Sequence, residues 1–461
     1  MGIKTVLLYP ASTSELEEDA LLYQPLALAY VAAYLPEHYE IASYDEYVGR
    51  QIDPSNEKAD LVFMSPLTCN IPRTYALADT YRKQGAYTVI GGAHATALPN
   101  EALEHFDTVI QGEAEPVMEQ FIRDFEAGTP QPVYDGKMNA SLDTIRIPRR
   151  DVIHPRYDYP SFLTSKGCPF SCSFCYLTVY KNRKYRMIPH DRVLEDLDQE
   201  PQLKYGIFTD ENFIGYTQAQ HDDRIALCEK IARHRPGIIW GTQASSNLAD
   251  QPDLMDAMYK AGCRAVFVGV EAVGDDNLDE ITKGINKQYN YKEIFARIHK
   301  HKIAIIGSCI LGLDNQDKTY PKQLVRFLKD IKVDYTRLFY MTPWPGTPLH
   351  KRLDAEARVS DSYSEIRKDV PSTRYKNFTA QELWKARKFI YSRMMSPLYV
   401  LQTIFRWIFR ERSLFKIFLS ELWKAVWMGT PQEEQRLNDT PRNKKKRRKS
   451  TNNRMKQAQS V

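Results

Sequence analysis

A chain of 461 residues, 43% hydrophobic and 26% charged, is long enough for two or three domains, each with a substantial core. Its net charge of +5 is misleading, because residues 442–456 hold nine Lys or Arg and no Asp or Glu, which leaves the rest of the chain at −4. A mildly acidic body argues against nucleic acid as a partner, and the basic end reads as a detached segment suited to solvent or an anionic surface.

The opening "MGIKTVLLYP" runs straight into a strand-like segment with no long apolar stretch or cleavage site, so no signal peptide is expected. Residues 1–127 then alternate β-rich runs (3–10, 39–46, 60–66, 86–94, 107–115) with helical periodicity (25–35, 71–85, 99–106). That alternation predicts a doubly wound α/β domain on a parallel sheet, with its ligand at the carboxyl ends of the strands. There the sequence places "SPLT" (65–68) and "GGAHAT" (91–96), whose small residues let a flat ligand lie on the backbone. No G-x-G-x-x-G follows the first strand, which weighs against a dinucleotide.

A Pro-rich, polar linker (128–160) leads to a second alternating block at 161–350. Its strands read 161–167, 205–211, 238–245, 265–272, 303–313 and 335–343. Six β/α units favour a partial (β/α)6 barrel over a flat sheet, and such barrels do their chemistry at the strands' C-terminal ends. A helical region (351–430) and a basic tail (431–461) complete the expected order.

Three of the seven cysteines, Cys168, Cys172 and Cys175, fall in "KGCPFSCSFCY" just after the first barrel strand. The other four stand singly in apolar contexts, so the pattern is no disulfide framework and a cytoplasmic setting is expected. Three thiolates in one loop suit a [4Fe–4S] cluster with one open iron. On spacing alone a zinc site or incidental clustering stays open.

The spacing Cys168-x3-Cys172-x-Phe174-Cys175 resembles the signature of the radical S-adenosylmethionine (SAM) family. The resemblance implies a partial barrel whose cluster binds SAM at its open iron, cleaves it reductively and so generates a 5′-deoxyadenosyl radical. An electron donor such as flavodoxin or ferredoxin is implied with it. By position in that barrel, Phe174, Asp210, Glu211, Gln243, Ser245, Glu271 and Leu311 are the expected SAM contacts, although the usual Gly-Gly-Glu is absent at 208–212 and any polar one of them could instead cap a helix. "GGAHATALPNEAL", "VIQGEAEPVMEQFI" and "MTPWPGTPLH" extend the resemblance over residues 1–350, to the subfamily fused to a cobalamin-binding domain. It implies that Ser65, Thr68, Gly91, Gly92, His94 and Thr96 line the corrin. The Asp-x-His-x-x-Gly that offers a histidine to cobalt elsewhere is absent, and His94 as a cobalt ligand is the sharper alternative.

Residues 398–428 mix cationic residues with aromatics at 405, 407, 409, 415, 418, 423 and 427, and the longest uncharged stretch, Met394–Phe405, is too short to span a bilayer. A helical cover for the active site and an interfacial membrane contact both fit, and both accommodate a large hydrophobic substrate. The resemblance implies a cobalamin-dependent radical SAM C-methyltransferase, acting on a bacteriochlorophyllide side chain or, next, on a hopanoid. A radical SAM oxidase or cyclase on a tetrapyrrole is a second enzyme reading, and a cofactor-binding sensor is a non-enzymatic one.

Overall fold

The computed structural model describes residues 2–11, 23–136, 140–180, 184–367 and 369–410, with side chains described to Trp407. The basic tail and residues 411–428 of the aromatic segment lie outside the described residues. The described residues divide into two units on either side of residue 377.

The first unit opens with six parallel strands: β1 (Ile3–Tyr9), β2 (Tyr39–Asp45), β3 (Leu61–Met64), β4 (Tyr87–Ile90), β5 (Thr108–Gln111) and β6 (Val133–Asp135). Their order is β2-β1-β3-β4-β5-β6. Period-two alternation splits the apolar residues cleanly between two faces. Leu7, Phe63, Val89 and Ile110 pack with Leu28, Val31, Met118 and Phe121 from helices Ala27–Tyr34 and Met118–Glu126. Leu8, Val62, Ile90 and Val109 pack on the other side with Ile71, Ala78 and Tyr81 of helix Ile71–Lys83. Two buried faces are what a doubly wound sheet requires, and the reversal of order at β1 opens a crevice at the carboxyl ends of β1 and β3. Strand β6 falls within the expected linker. Three residues amid polar sequence carry no periodic signal, yet they extend the sheet beside β5.

A second sheet follows: β7 (Ser161–Phe162), then a two-residue antiparallel pair β8 (Ser165–Lys166) and β9 (Arg186–Met187), and then β10 (Tyr205–Phe208), β11 (Ile239–Ala244), β12 (Cys263–Glu271), β13 (Ala304–Leu311) and β14 (Tyr335–Tyr340). Its parallel order, β7-β10-β11-β12-β13-β14, never reverses, so the sheet is singly wound and open between its first and last strands, as in a partial barrel. Phe208, Trp240, Val266, Val268, Ile305 and Leu338 on its outer face are at most 2% exposed. The register-matched inner positions Ile207, Gly241, Phe267, Ile306, Arg337 and Phe339 are only half-buried.

The single strand expected at 161–167 is broken. Asp210 accepts from the Thr164 backbone N–H (3.1 Å), the Thr164 hydroxyl (2.8 Å) and the Ser165 hydroxyl, and these bonds draw the chain out of the sheet after Phe162. At the far end, the helical region expected from residue 351 begins later. Leu349, Leu353, Val359 and Tyr375 pack with Ala272, Ile281, Ile310 and Met341, while Arg352 and Arg358 converge on Asp314 (2.7 and 2.8 Å). Residues up to 377 therefore belong with the barrel. In the second unit, helices Ala380–Met394 and Pro397–Arg410 are described, and among the described residues no helix is long and apolar enough to cross a membrane.

Arg150 ties the linker into the first unit. Its guanidinium makes a bidentate pair with buried Asp196 (2.7 and 2.8 Å), donates to the Ser161 carbonyl (2.7 Å) and lies 4.3 Å from the Phe162 ring centroid. Arg150→Ala should cost about 3–5 kcal/mol in urea unfolding, because it strands a buried carboxylate. The double change Arg150→Met with Asp196→Leu should recover much of that loss.

Candidate active site

The cysteine loop leaves β8, and backbone bonds on both sides pin it. Glu211 accepts the Gly167 N–H (3.1 Å), Ser173 N–H donates to the Ile281 carbonyl (3.0 Å), and Leu349 N–H donates to the Ser173 carbonyl (2.9 Å). Cys175 N–H donates to the Cys172 carbonyl (3.1 Å), closing a turn within the loop. Burial pushes the Cys175 thiol up to about 12 and raises that of Cys172, which the Lys283 ammonium beside it opposes. These are neutral thiols at physiological pH, so metal binding displaces their protons. Among the described residues no three His, Cys, Asp or Glu side chains converge as a lone metal ion requires. A [4Fe–4S] cube takes its thiolates on separate irons, and three cysteines in one loop can supply them.

Beside the loop stands a group that sequence reasoning reached only in part. Glu271 ends β12 with φ of 67°, after a break in the β12–β13 register at Gly269. Its carboxylate lies back over Gly269, where a Cβ would come within 2.2 Å of Oε1, so any larger residue there would have to push the carboxylate aside. Lys283 Nζ is 3.4 Å from that oxygen, and Ser308 Oγ is 3.5 Å from Oε2. Burial raises the Glu271 carboxyl, and Lys283 offsets the effect. Lys283 also faces the Phe170 ring at 5.8 Å. Neither Lys283 nor Ser308 sits in a recognisable motif, so no sequence signal marks them.

The other expected SAM contacts divide. Asp210 is fully buried at the β7–β8 junction, where its Oδ1 serves the turn. Leu311 is also buried, and its carbonyl accepts the Met341 N–H (2.8 Å). Phe174 packs in the cluster around Ile281 and Leu349. Gln243 is exposed at the end of β11, and Ser245 is half-buried and receives Asn212 Nδ2 at 2.8 Å. Asn212, the last residue of "FTDEN", also donates to the Tyr216 hydroxyl, whose oxygen is 3.5 Å from Cys168 Sγ.

The loops after β4 and β5 meet this region. Glu113 pairs with Arg186 (2.9 Å) and Glu115 with Lys166, two residues before Cys168. A Cβ on Gly346 would lie 3.0 Å from Ala97 and 3.2 Å from Val179, so the barrel exit, the cysteine loop's continuation and the "GGAHATA" segment converge. A Cβ on Gly91 would meet nothing nearer than 3.9 Å, and Gly92 holds φ of 97° beside Ser65. This open, side-chain-free lip fits a flat macrocycle. Thr68 and Thr96 are buried, and Thr96 Oγ1 links the Gly92 carbonyl (2.8 Å) to Gly112 N–H (2.9 Å). The His94 side chain has no exposed surface; its Nε2 is on Glu101 (3.3 Å) and its ring meets Tyr363 edge-on. The ring is thus enclosed by Glu101 and Tyr363, a pocket-wall position beside the "GGAHAT" glycines.

The radical SAM superfamily pattern matches residues 162–328, and the B12 binding domain pattern matches 17–122. The chain is 30% identical over 372 residues to the bacteriochlorophyllide d C-12(1)-methyltransferase of Chlorobaculum tepidum, covering 78% of this chain and 80% of that one. The hopanoid C-2 methylase of Rhodopseudomonas palustris is 24% identical over 354 residues, or 75% of this chain and 67% of the relative. In fold, the chain matches the radical S-adenosylmethionine methyltransferase TsrM of Kitasatospora setae, solved with cobalamin and a [4Fe–4S] cluster bound. That match has a TM-score of 0.66, covers 86% of this chain and 90% of the other, and carries 15% identity. The cofactors are therefore a [4Fe–4S] cluster and SAM in the barrel and cobalamin on the first sheet. With its cysteine trio and open glycine lip converging in one unit, the chain belongs to the cobalamin-binding radical SAM family and is an enzyme of the methyltransferase type.

Proposed function

We propose that the protein methylates an unactivated carbon on the side chain of a bacteriochlorophyllide, with a donor such as flavodoxin or ferredoxin supplying electrons. When bound, the cofactors supply one-electron cleavage of SAM and carriage of a methyl group. The residues do the placing. Cys168, Cys172 and Cys175 would hold the cluster, with Lys283 balancing charge beside Cys172 and Glu271 accepting from a sugar hydroxyl. Ser65, Gly91 and Gly92 would carry the corrin.

The observation that carries the substrate class is the inner face of the barrel. Phe267 and Phe339, with ring centroids 6.5 Å apart, line it beside Ile207 and Ile306. In register with Gly269 and Ser308 sits Arg337, whose guanidinium is 5.3 Å from the Tyr335 ring and makes no ion pair among the described residues. An unpaired cation in an aromatic channel asks for an anionic partner. A flat tetrapyrrole with a free carboxylate supplies one, whereas a hydrocarbon lipid does not. The 30% identical relative acts, by its name, on such a tetrapyrrole.

Two experiments test the reading. With methyl-labelled SAM and a strong reductant, label should pass to bacteriochlorophyllide d, with 5′-deoxyadenosine and S-adenosylhomocysteine both formed. Product without label would favour an oxidase or cyclase, and corrinoid binding with no SAM cleavage would favour a sensor. Separately, Arg337→Leu should weaken binding of free-acid bacteriochlorophyllide d at least tenfold, about 1.4 kcal/mol, and change binding of its methyl ester little. Equal binding of acid and ester by the wild type would remove the carboxylate argument.

We further propose that the second unit touches membranes. Helix Pro397–Arg410 exposes Leu398, Leu401 and Phe405 at 68%, 62% and 64%, a stripe at helical spacing on a segment flanked by cations. Changing all three to Ser should reduce sedimentation with anionic liposomes severalfold without altering iron content. Unchanged sedimentation would leave the stripe without a lipid role.

A further inference from the structure

We propose that Tyr216 donates an O–H···S hydrogen bond to the Cys168 thiolate and so raises the reduction potential of the cluster. The inference rests on Cys168 being a cluster ligand. The phenol oxygen is 3.5 Å from Sγ, and either atom of such a pair can donate. The direction comes from Asn212. Its Oδ1 accepts the Ser245 backbone N–H at 3.4 Å and faces that of Ile214 at 3.5 Å. A backbone N–H only donates, so these two contacts fix which end of the amide is oxygen. Nδ2 is then directed at Ser245 Oγ (2.8 Å) and at the Tyr216 oxygen. That oxygen receives a hydrogen from Asn212, which leaves its own hydrogen to point at sulfur.

The ring is held in place. Phe170 and Tyr185 meet it edge-on at 5.2 and 5.9 Å, and Tyr216 N–H donates to Gln220 Oε1 at 2.8 Å. Gly215 before it takes φ of 72°, and a Cβ there would stand 2.7 Å from Gln220 Cβ, so the turn that presents Tyr216 is closely determined. A hydrogen bond to a thiolate ligand draws off negative charge and favours the reduced cluster, one of the established ways in which proteins tune such potentials. Asn212 also ties the pair to Ser245 at the end of β11, so the sulfur and the SAM side of the barrel share one hydrogen-bonded chain.

The test is a potentiometric titration, followed by electron paramagnetic resonance, of anaerobically reconstituted full-length protein. Tyr216→Phe should retain about four irons per chain. At a fixed solution potential its ratio of reduced to oxidised cluster should fall about tenfold, a shift of about 59 mV for one electron. An unchanged potential in a fully loaded variant would overturn the proposal. Site-specific 3-fluorotyrosine at 216 keeps the ring but is a stronger donor, and should move the ratio the other way. It decides the matter if the Phe variant loads poorly, and no rise would count against the hydrogen bond. A wild-type chain that assembles no cluster would sink the ligand assignment itself.

Discussion

Everything at this site depends on two carboxyl edges being held against each other by buried charge. A parallel sheet presents its chemistry at one edge only, so two sheets cooperate only when those edges meet. Glu113 and Glu115, both from the turn after β5, reach Arg186 and Lys166 on the two short strands that flank the cysteine loop. All four side chains are nearly buried. Pairs of this kind add little net stability, but breaking one leaves an uncompensated charge, so they act mainly to fix one arrangement against its neighbours. The motif "GEAE" is thus an interdomain latch, and its partner Lys166, two residues before Cys168, joins the cofactor platform of one sheet to the thiolates of the other.

Where sequence periodicity is strong, the fold was legible. Ten of the eleven strand runs reappear as single strands within a few residues, because each buries alternating or continuous apolar side chains that only a sheet accommodates. Short pieces were missed for an equally physical reason. Strands β6 and β9 have three and two residues, too few for any period, and the break between β7 and β8 within 161–167 is held by Asp210 from far along the chain. The cysteine trio was legible because ligand spacing is local. Lys283, Asn212 and Tyr216 were not, since their proximity to the trio is created by tertiary packing, and Arg337 was not, since only strand register sets it level with Ser308. Asp210 shows a related ambiguity: an acidic residue at a strand end can serve a cofactor or a backbone turn with the same local sequence, and here one of its oxygens holds the turn.

Glu271 shows how the site holds an unfavourable conformation. A non-glycine residue at positive φ costs on the order of 1–3 kcal/mol and persists only where its surroundings over-determine it. Here Asn286 Nδ2 takes both the Gly269 and Val270 carbonyls (2.9 and 3.0 Å), and Ala272 N–H closes a tight turn onto Val270 (2.9 Å). The clamp leaves the strand no relaxed alternative, and the carboxylate is folded back onto the glycine beneath it, toward Lys283. Strain of this kind aims the side chain inward.

The two cations on this side of the barrel then have separable duties. Lys283 is buried between Glu271 and Cys172, so its charge is spent inside the protein, balancing thiolates that burial alone would keep protonated. Arg337 is two strands away, half-buried among aromatic rings, with no carboxylate of the described chain to neutralise it. A partly desolvated guanidinium without a partner is costly, and its persistence in an otherwise apolar channel is most simply understood if the partner arrives with the substrate. The register of β12, β13 and β14 sets Arg337 level with Ser308 and Gly269, the residues against which Glu271 rests. A carboxylate anchored there would hold one end of a flat molecule at the level of the strained glutamate, leaving its other end free to extend along the aromatic wall.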